Sequence, residues 1–309
     1  MPFLLILIST WLAINLLHSL WIGYRHWRWE SKFTRDKNGL LPQAEAYTRG
    51  NGPVALLFVH GFADTPMLWS HMIDYINQKD TMFTCRAMRL PGSGEPLSVA
   101  HRQTLEKWRH SIDDEIATLQ KTHEHIWLVT HSAGGALSID LALRKPNSVQ
   151  GLILLAPLIK VSRYKIPLIP PEAGFTCAQV IFVLSPVFES IFFRKTTAAD
   201  DPAYTYIRDR FISFQVYRNL FSLIHANKHR ASNLTIPVFA ALSRFDHVVD
   251  SKAARQWLEN VPSTRVVRWT ETGHAIHLGI GWQALTDDII AFINENSVNK
   301  VSPDKPKRT

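Results

Sequence analysis

The chain has 309 residues, of which 46% are apolar, so it can bury the core of one large α/β domain or of two small ones. Its net charge is +8, but residues 25–37 hold five basic and two acidic side chains, and residues 300–308 hold four and one. The body between them is nearly neutral, which argues against a nucleic-acid partner. The two cysteines, Cys85 and Cys177, exclude a disulfide framework and leave a single bridge open.

The first 24 residues contain no Asp, Glu, Lys or Arg and are mostly Leu, Ile, Trp and Ala. A helix over Phe3 to Tyr24 would be roughly 33 Å long, enough to cross a hydrocarbon core. We therefore predict a transmembrane anchor over residues 1–24, with an interfacial helix or a signal peptide as the alternatives. Because basic residues follow this stretch and none precedes it, the positive-inside rule predicts a single-pass protein with a cytoplasmic body.

Residues 25–49 are polar with little pattern, and we predict a linker with one edge strand near residues 44–48. Beyond residue 50, short apolar runs alternate with helical patterns, which predicts a doubly wound, mostly parallel sheet over residues 50–156 and 235–296. The predicted strands cover residues 54–59, 83–90, 126–129, 151–156, 236–242 and 265–269. The predicted helices cover residues 66–78, 102–120, 136–143, 252–258 and 282–293.

The sequence Val129-Thr-His-Ser-Ala-Gly-Gly135 is typical of a nucleophile elbow, a sharp turn from a strand into a helix. Small residues after Ser132 allow the turn, and the start of the next helix favours negative charge beside the serine. Thr130 replaces the first glycine of the usual G-x-S-x-G motif. The motif alone therefore does not separate an elbow from a helix N-cap serine.

Between residues 157 and 234 the alternation stops, and prolines and aromatic residues become frequent. The segment is too long for a simple connection and too apolar for a disordered loop. We predict a helical cap, inserted after the strand that follows the helix of the elbow. Phe182, Phe188 and Phe192 are its candidate substrate contacts. Residues 297–309 are polar and basic, which predicts a flexible tail.

Two later loops carry groups that would activate Ser132. A serine nucleophile needs a base within hydrogen-bond distance, and a carboxylate fixes the tautomer of an imidazole base. Asp246 and His274 each follow a predicted strand, and the order Ser132, Asp246, His274 is the order that this arrangement requires. Asp250 is the alternative acid, although it is the better N-cap for the next helix, and His277 is the alternative base.

The loop His60-Gly61-Phe62 follows the first predicted buried strand of the body. A glycine there allows the chain to turn and present an amide, so the N–H groups of Phe62 and Ala133 are the predicted oxyanion hole. We expect His60 to hold the loop by hydrogen bonds rather than to take part in catalysis. No spacing of His, Cys or acidic residues indicates a metal site, and we predict no cofactor.

These motifs resemble those of the α/β-hydrolase superfamily, and most closely those of the bacterial carboxylesterase and monoacylglycerol lipase group. The resemblance covers about residues 50–296, except most of the cap. It implies an ester hydrolase with Ser132 as nucleophile, Asp246 as acid and His274 as base. Ser93 departs from the pattern, because such proteins often carry His there. The segments that carry the resemblance are VHGF at 59–62, RLPGSG at 89–94, HSAGG at 131–135, the loop at Asp246, and Gly273-His274.

We therefore predict a membrane-anchored serine ester hydrolase that acts through an acyl-enzyme on a small-molecule or lipid ester. An acyltransferase or thioesterase with the same three residues is the alternative enzyme. A catalytically inactive hydrolase fold that serves as a membrane-bound binding module is the alternative from another class. The sequence specifies neither the acyl length nor the oligomeric state.

Overall fold

The computed structural model describes residues 2–164, 167–185, 187–190 and 207–298. Its strands are β1 (Tyr47–Arg49), β2 (Val54–Val59), β3 (Phe83–Met88), β4 (His125–His131), β5 (Gly151–Leu155), β6 (Val187–Glu189), β7 (Phe211–Ser213), β8 (Val238–Ser243) and β9 (Thr264–Thr270). A seven-stranded sheet has the order β1-β3-β2-β4-β5-β8-β9. All neighbouring strands in it are parallel except β1 and β3, and β6 pairs with β7 in an antiparallel ribbon.

Helices cover both faces of this sheet. Their bounds are α1 (Pro2–Glu30), α2 (Ser70–Lys79), α3 (Leu97–Ala100), α4 (Leu105–Leu119), α5 (Ala133–Arg144), α6 (Pro171–Ile181), α7 (Phe214–Asn227), α8 (Ser251–Leu258) and α9 (Trp282–Val298). One face packs on α4, α5, α7 and α8, and the other packs on α2 and α9. All six residues of β2 are buried, as a strand covered on both faces requires. The predicted doubly wound sheet is confirmed, with element ends shifted by a few residues.

The segment predicted as a helical cap divides into two parts. The first part contains α6 and the β6–β7 ribbon, so the described cap is not purely helical. The second part is α7, whose Leu220 and Leu223 are buried in the same core cluster as Leu137 of α5. The apolar face of α7 therefore belongs to the body. We use "cap" below for residues 167–185, 187–190 and 207–213.

The N-terminal region also differs from the predicted anchor and linker. The helix α1 continues to Glu30, because neither proline nor glycine interrupts residues 24–30. The predicted linker residues Leu41 and Ala44 are buried against Trp29 of α1, so this stretch packs on the protein. The few apolar residues of this stretch have no regular spacing, so its packing on the protein could not be predicted. Among the described residues, α1 is the one helix long and apolar enough to cross a membrane.

Candidate active site

Ser132 occupies a sharp turn between β4 and α5. Its φ is +53° and its ψ is −115°, a strained conformation that costs roughly 1–3 kcal/mol. Its N–H donates to the carbonyl of Leu155 at 3.0 Å, and its carbonyl accepts from the N–H of Leu158 at 3.0 Å. The end of β5 and the residues that follow it therefore hold the turn. This is the strand–turn–helix geometry that the motif predicts.

Glycines around this turn allow backbone segments to approach one another closely. A Cβ added to Gly134 would lie 2.4 Å from the carbonyl oxygen of Val59, at the end of β2. A Cβ on Gly61 would lie 2.9 Å from an oxygen of Asp64 and 3.1 Å from the Cβ of Ser132. Any side chain at either position would push the loop after β2 away from the serine.

The two departures from the family pattern each make a specific hydrogen bond. The hydroxyl of Thr130 is buried and donates to the carbonyl of Ile153 at 3.0 Å, in the neighbouring strand β5. Thr130 therefore replaces the elbow glycine without crowding the turn. The hydroxyl of Ser93 donates to the carbonyl of Asp64, and this bond ties the loop after β3 to the loop after β2.

The structure brings Ser132, His274 and Asp246 into one hydrogen-bonded chain. The Nε2 atom of His274 lies 3.0 Å from the Oγ of Ser132, and its Nδ1 lies 2.7 Å from Oδ2 of Asp246. Ser132 is only 3% exposed. These distances allow the imidazole to take the serine proton while the carboxylate orients the ring.

The carboxylate of Asp246 is fixed from two sides. Its Oδ1 accepts from the N–H groups of Val248 and Val249, both at 2.8 Å, while Oδ2 faces His274. Burial raises its pKa, but the His274 ring and these backbone donors outweigh that effect and lower it below the usual value. Asp246 is therefore ionised at neutral pH and can stabilise an imidazolium.

The two alternatives from the sequence occupy other positions. Asp250 caps α8, where its side chain accepts from the N–H of Ala253 at 3.0 Å. The ring of His277 is buried 4.9 Å from the ring of Trp69. Neither of its ring nitrogens has a hydrogen-bond partner in the described part of the chain, and burial holds its pKa well below the usual value. His277 is a neutral packing residue.

His60 links the ends of two strands, as expected from the sequence. Its Nδ1–H donates to the carbonyl of Gly61 at 2.9 Å, and its Nε2 accepts from the N–H of Leu90 at 3.1 Å. Burial lowers the pKa of His60 to about 4, so the ring is neutral at physiological pH.

An ion pair with a buried carboxylate, which the sequence analysis missed, lies behind the loop of Phe62. Arg208 of the cap approaches Asp64 with Nε 2.6 Å from Oδ1, and its Nη2 donates to the carbonyl of Phe62 at 3.5 Å. Burial raises the pKa of Asp64, but the Arg208 charge and His131 hold it well below the usual range. Two charged residues 144 positions apart form no recognisable motif. The only sign of this ion pair in the sequence was weak: Arg208 and Asp209 are charged neighbours shortly before a mostly apolar stretch.

His131 lies between this ion pair and His274. Its Nε2–H donates to the carbonyl of His274 at 3.1 Å, and its Nδ1 lies 3.7 Å from Oδ2 of Asp64. Burial lowers its pKa, so the ring is neutral. His131 is therefore hydrogen-bonded to the loop of His274 and packs against Asp64.

Asp209 forms a second contact between the cap and the same loop. Its N–H donates to the carbonyl of Ala63 at 2.9 Å, and its carboxyl accepts from the N–H of Gly94 at 3.0 Å. Ala63 itself has a φ of +62°, a conformation rare for a residue with a side chain. Burial raises the pKa of Asp209 to about 7. Arg208 and Asp209 thus hold a strained loop from the cap side.

The predicted oxyanion donors border a cleft between the body, the cap and α1. Ala133 is the first residue of α5, so its N–H has no acceptor inside the helix. Phe62 lies in the loop that Gly61 brings against Ser132. The cleft is lined by both residues, together with Trp29 of α1. In the described residues, no three His, Cys, Asp or Glu side chains are arranged to bind a metal ion.

An aromatic row leads from the cap tip to the loop of Phe62. The ring centroids of successive members lie 4.5–5.8 Å apart. Two of the predicted substrate contacts belong to this row, and the third, Phe192, lies outside the described residues. The members in order are Phe182, Phe188, Phe214, Phe175, Tyr217 and Phe62.

A parallel sheet in this strand order, with a strained serine turn after its central strand, defines an α/β-hydrolase. The profile of the family described as serine aminopeptidase, S33, matches residues 53–278. The chain therefore belongs to this family, and it is a serine ester hydrolase that resembles the monoacylglycerol lipases.

Three known proteins illustrate the similarity. A thermostable monoacylglycerol lipase of Bacillus sp. (strain H-257) is 30% identical over 108 residues, which are 35% of this chain and 42% of that lipase. The monoglyceride lipase of Rattus norvegicus is 25% identical over 231 residues, covering 68% of this chain and 71% of the rat protein. The crystal structure of the Paleococcus ferrophilus monoacylglycerol lipase superposes with a TM-score of 0.68 at 19% identity, covering 82% and 98% of the two chains.

Proposed function

We propose that this protein is a membrane-associated lipase that hydrolyses long-chain acyl esters, with monoacylglycerols as the substrate class. The observation that carries the proposal is the hydrogen-bonded chain from Ser132 through His274 to Asp246, with distances of 3.0 and 2.7 Å. The names of the Bacillus and rat relatives support the substrate class.

The proposed reaction has two halves. His274 removes the proton from the hydroxyl of Ser132 as its oxygen attacks the ester carbonyl, and the tetrahedral oxyanion is held by the N–H groups of Phe62 and Ala133. The intermediate collapses to an acyl-enzyme, and His274 gives its proton to the departing alcohol. A water molecule, deprotonated by His274, then attacks the acyl-enzyme, and His274 returns the proton to the Ser132 oxygen as the fatty acid leaves. Asp246 stays ionised throughout and stabilises the imidazolium.

The surroundings of the cleft favour an acyl chain. The aromatic row offers an apolar path from the cap tip to Phe62, and apolar linings with a few polar groups are usual for ligand sites. The helix α1 supplies an apolar surface that would keep the enzyme where lipid esters are found. The basic residues after it favour a cytoplasmic body.

The test is a hydrolysis assay on the purified full chain in phospholipid vesicles. We expect release of free fatty acid from monoacylglycerols, with turnover reduced at least 10³-fold by Ser132→Ala. Ser138→Ala is the matched control: Ser138 is buried in α5, and its hydroxyl has no hydrogen-bond partner among the described residues. Equal turnover in the two variants would refute the role of Ser132. An acyl group that appears only on an added alcohol or amine acceptor would identify an acyltransferase instead.

A further inference from the structure

The C-terminal half of α1 is fastened to the cap by polar side chains on one face. Asn15 is 1% exposed, although it lies in an apolar helix. Its amide nitrogen donates to the carbonyl of Ile181 at 2.8 Å, and its amide oxygen accepts from the N–H of Leu184 at 3.4 Å. The hydroxyl of Ser19, one turn later, donates to the carbonyl of Leu184 at 3.0 Å.

Further contacts continue along the same face. Nδ1 of His18 lies 2.9 Å from the hydroxyl of Ser185, and the His18 ring lies 4.4 Å from the ring of Phe182. Arg25 pairs with Glu189 of the β6–β7 ribbon at 2.9 Å. With the buried Ile22 between them, positions 15, 18 or 19, 22 and 25 follow one another at steps of three or four residues, which is the spacing of one helix face. We call Asn15, His18 and Ser19 the latch.

The latch divides α1 into two parts. Thirteen residues of α1, 2–14, lie before the first latch contact, and they rise about 20 Å as a helix. A hydrocarbon core is about 30 Å thick. While the latch is closed, residues 2–14 by themselves therefore reach only part of the way through a membrane.

The exposed surface of α1 changes character at the latch. Before Asn15, apolar side chains are exposed on all sides of the helix, as insertion into hydrocarbon requires. After Asn15, the exposed large side chains lie on the face opposite the cap, and they end in the aromatic residues typical of a membrane interface. They are Leu16, Leu17, Leu20, Trp21, Tyr24 and Trp27.

The cap tip extends this apolar surface. Four of its residues are between 44% and 68% exposed, namely Val180, Ile181, Val183 and Leu184. Because the backbone of Ile181 and Leu184 bonds directly to the latch, the tip lies at the level where α1 would enter the lipid. Phe182, the first ring of the aromatic row, contacts His18 at the same level.

We propose that residues 2–14 of α1 enter the near leaflet and that the latch seats residues 180–184 in the boundary between headgroups and acyl chains. The occupant of this surface is the lipid leaflet that the exposed apolar residues require. The proposal rests on the membrane association in the proposed function and adds the depth at which α1 and the cap tip lie. It also places the entrance of the aromatic row at the leaflet, so that an ester would enter from the lipid.

Depth measurements with a fluorophore test this arrangement. Cys177 is exposed on the tip side of α6 and can carry an environment-sensitive label, whereas burial raises the pKa of the Cys85 thiol to about 12 and keeps it unreactive. A second label is placed through Phe3→Cys in a Cys177→Ser background. Glu124→Cys in the same background is the control, because Glu124 directly precedes β4, at the opposite end of that strand from Ser132.

In vesicles of phosphatidylcholine and phosphatidylglycerol, we expect quenching by spin-labelled lipids at two depths. The label at residue 177 should respond most to a spin label near the headgroup, and the label at residue 3 to one near the methyl ends of the chains. The label at residue 124 should respond to neither. The proposal would be overturned if the residue 3 label were quenched by spin labels near the headgroups of the opposite leaflet and were reached by dithionite only from that side.

The latch itself is tested with Asn15→Leu combined with His18→Leu and Ser19→Ala. This variant keeps α1 apolar but removes the polar contacts of the latch, so quenching of the residue 177 label should fall at least twofold. Leu17→Met, on the face opposite the cap, should leave the quenching unchanged. Equal quenching in both variants would show that the latch does not seat the tip. If no label is quenched while soluble esters are still hydrolysed, the membrane proposals fail and the hydrolase proposal stands.

Discussion

The body and the cap position their side chains by different means. In the body, Ser132, Asp246 and His274 each follow a parallel strand, so the register of the sheet brings them together. In the cap, short elements are held by single side chains, such as Arg208 on Asp64 and Asn15 on the tip. Changes in the body should therefore abolish the chemistry, whereas changes in the cap should alter stability and substrate range.

The largest effect should come from the serine in the body. We expect Ser132→Ala to lower kcat/KM at least 10³-fold while the free energy of unfolding stays within about 0.5 kcal/mol of wild type. Adding His274→Ala should reduce the rate little further, because residues of such a chain act as a unit. Steady-state rates with p-nitrophenyl acetate and urea unfolding measure both. Independent, multiplicative losses in the double variant would contradict a shared mechanism.

The largest effect in the cap should come from its buried ion pair. Arg208→Met leaves the carboxylate of Asp64 buried without its main cation and should destabilise the protein by roughly 3–5 kcal/mol. Arg210→Met is the matched control, because Arg210 pairs with Glu189 at a partly exposed position and should cost less than about 1 kcal/mol. Urea unfolding at neutral pH compares the two variants. Similar losses would show that Asp64 does not depend on Arg208.

An effect that is smaller per pH unit should follow from Asp209, whose folded-state pKa of about 7 lies above its unfolded value of 3.8. A raised pKa contributes stability that is present below pH 3.8 and is lost as the pH rises through 7. We therefore expect the free energy of unfolding to fall by up to about 1.4 kcal/mol per pH unit across this window. Asp209→Asn should remove this slope. An unchanged slope in the variant would assign it to another group.

The smallest effect should come from the aromatic row. Phe188→Ala should reduce kcat/KM for dodecanoyl esters several-fold more than for acetyl esters, because each methylene that loses contact costs up to about 0.8 kcal/mol. Met82→Ala is the control, since Met82 is exposed before β3 at the far edge of the sheet. Rates over a series of p-nitrophenyl esters give the ratio. Equal loss on short and long chains would limit Phe188 to a structural role.

The same contrast explains how much could be predicted from the sequence. Continuous apolar runs predicted the strands of the body, and residues at their ends predicted which side chains converge. Ser132, His274 and Asp246 are adjacent in the structure because each of them follows the carboxyl end of a parallel strand. Asp250 could also be assigned as a helix cap, since the N-cap signal is local.

The contacts of the cap could not be predicted because no local signal encodes them. Asp64 and Arg208 pair across 144 positions of the chain, and neither position shows a pattern that indicates its partner. Asn15 and His18 are polar residues in an apolar stretch, and nothing in the sequence indicates what they contact. Their spacing of three residues was the available sign of a polar helix face. The surface that this face contacts belongs to the cap, a segment without regular periodicity, so the contact could not be predicted.

The central claim is that Ser132 is a nucleophile activated by His274, and covalent labelling tests it most directly. The folded wild-type protein is treated with a fluorophosphonate, and the labelled peptide is identified by mass spectrometry. We predict one label per chain on Ser132, no label on Ser132→Ala, and labelling slowed at least 10²-fold in His274→Ala. A label on another serine, or none on folded protein, would contradict the account.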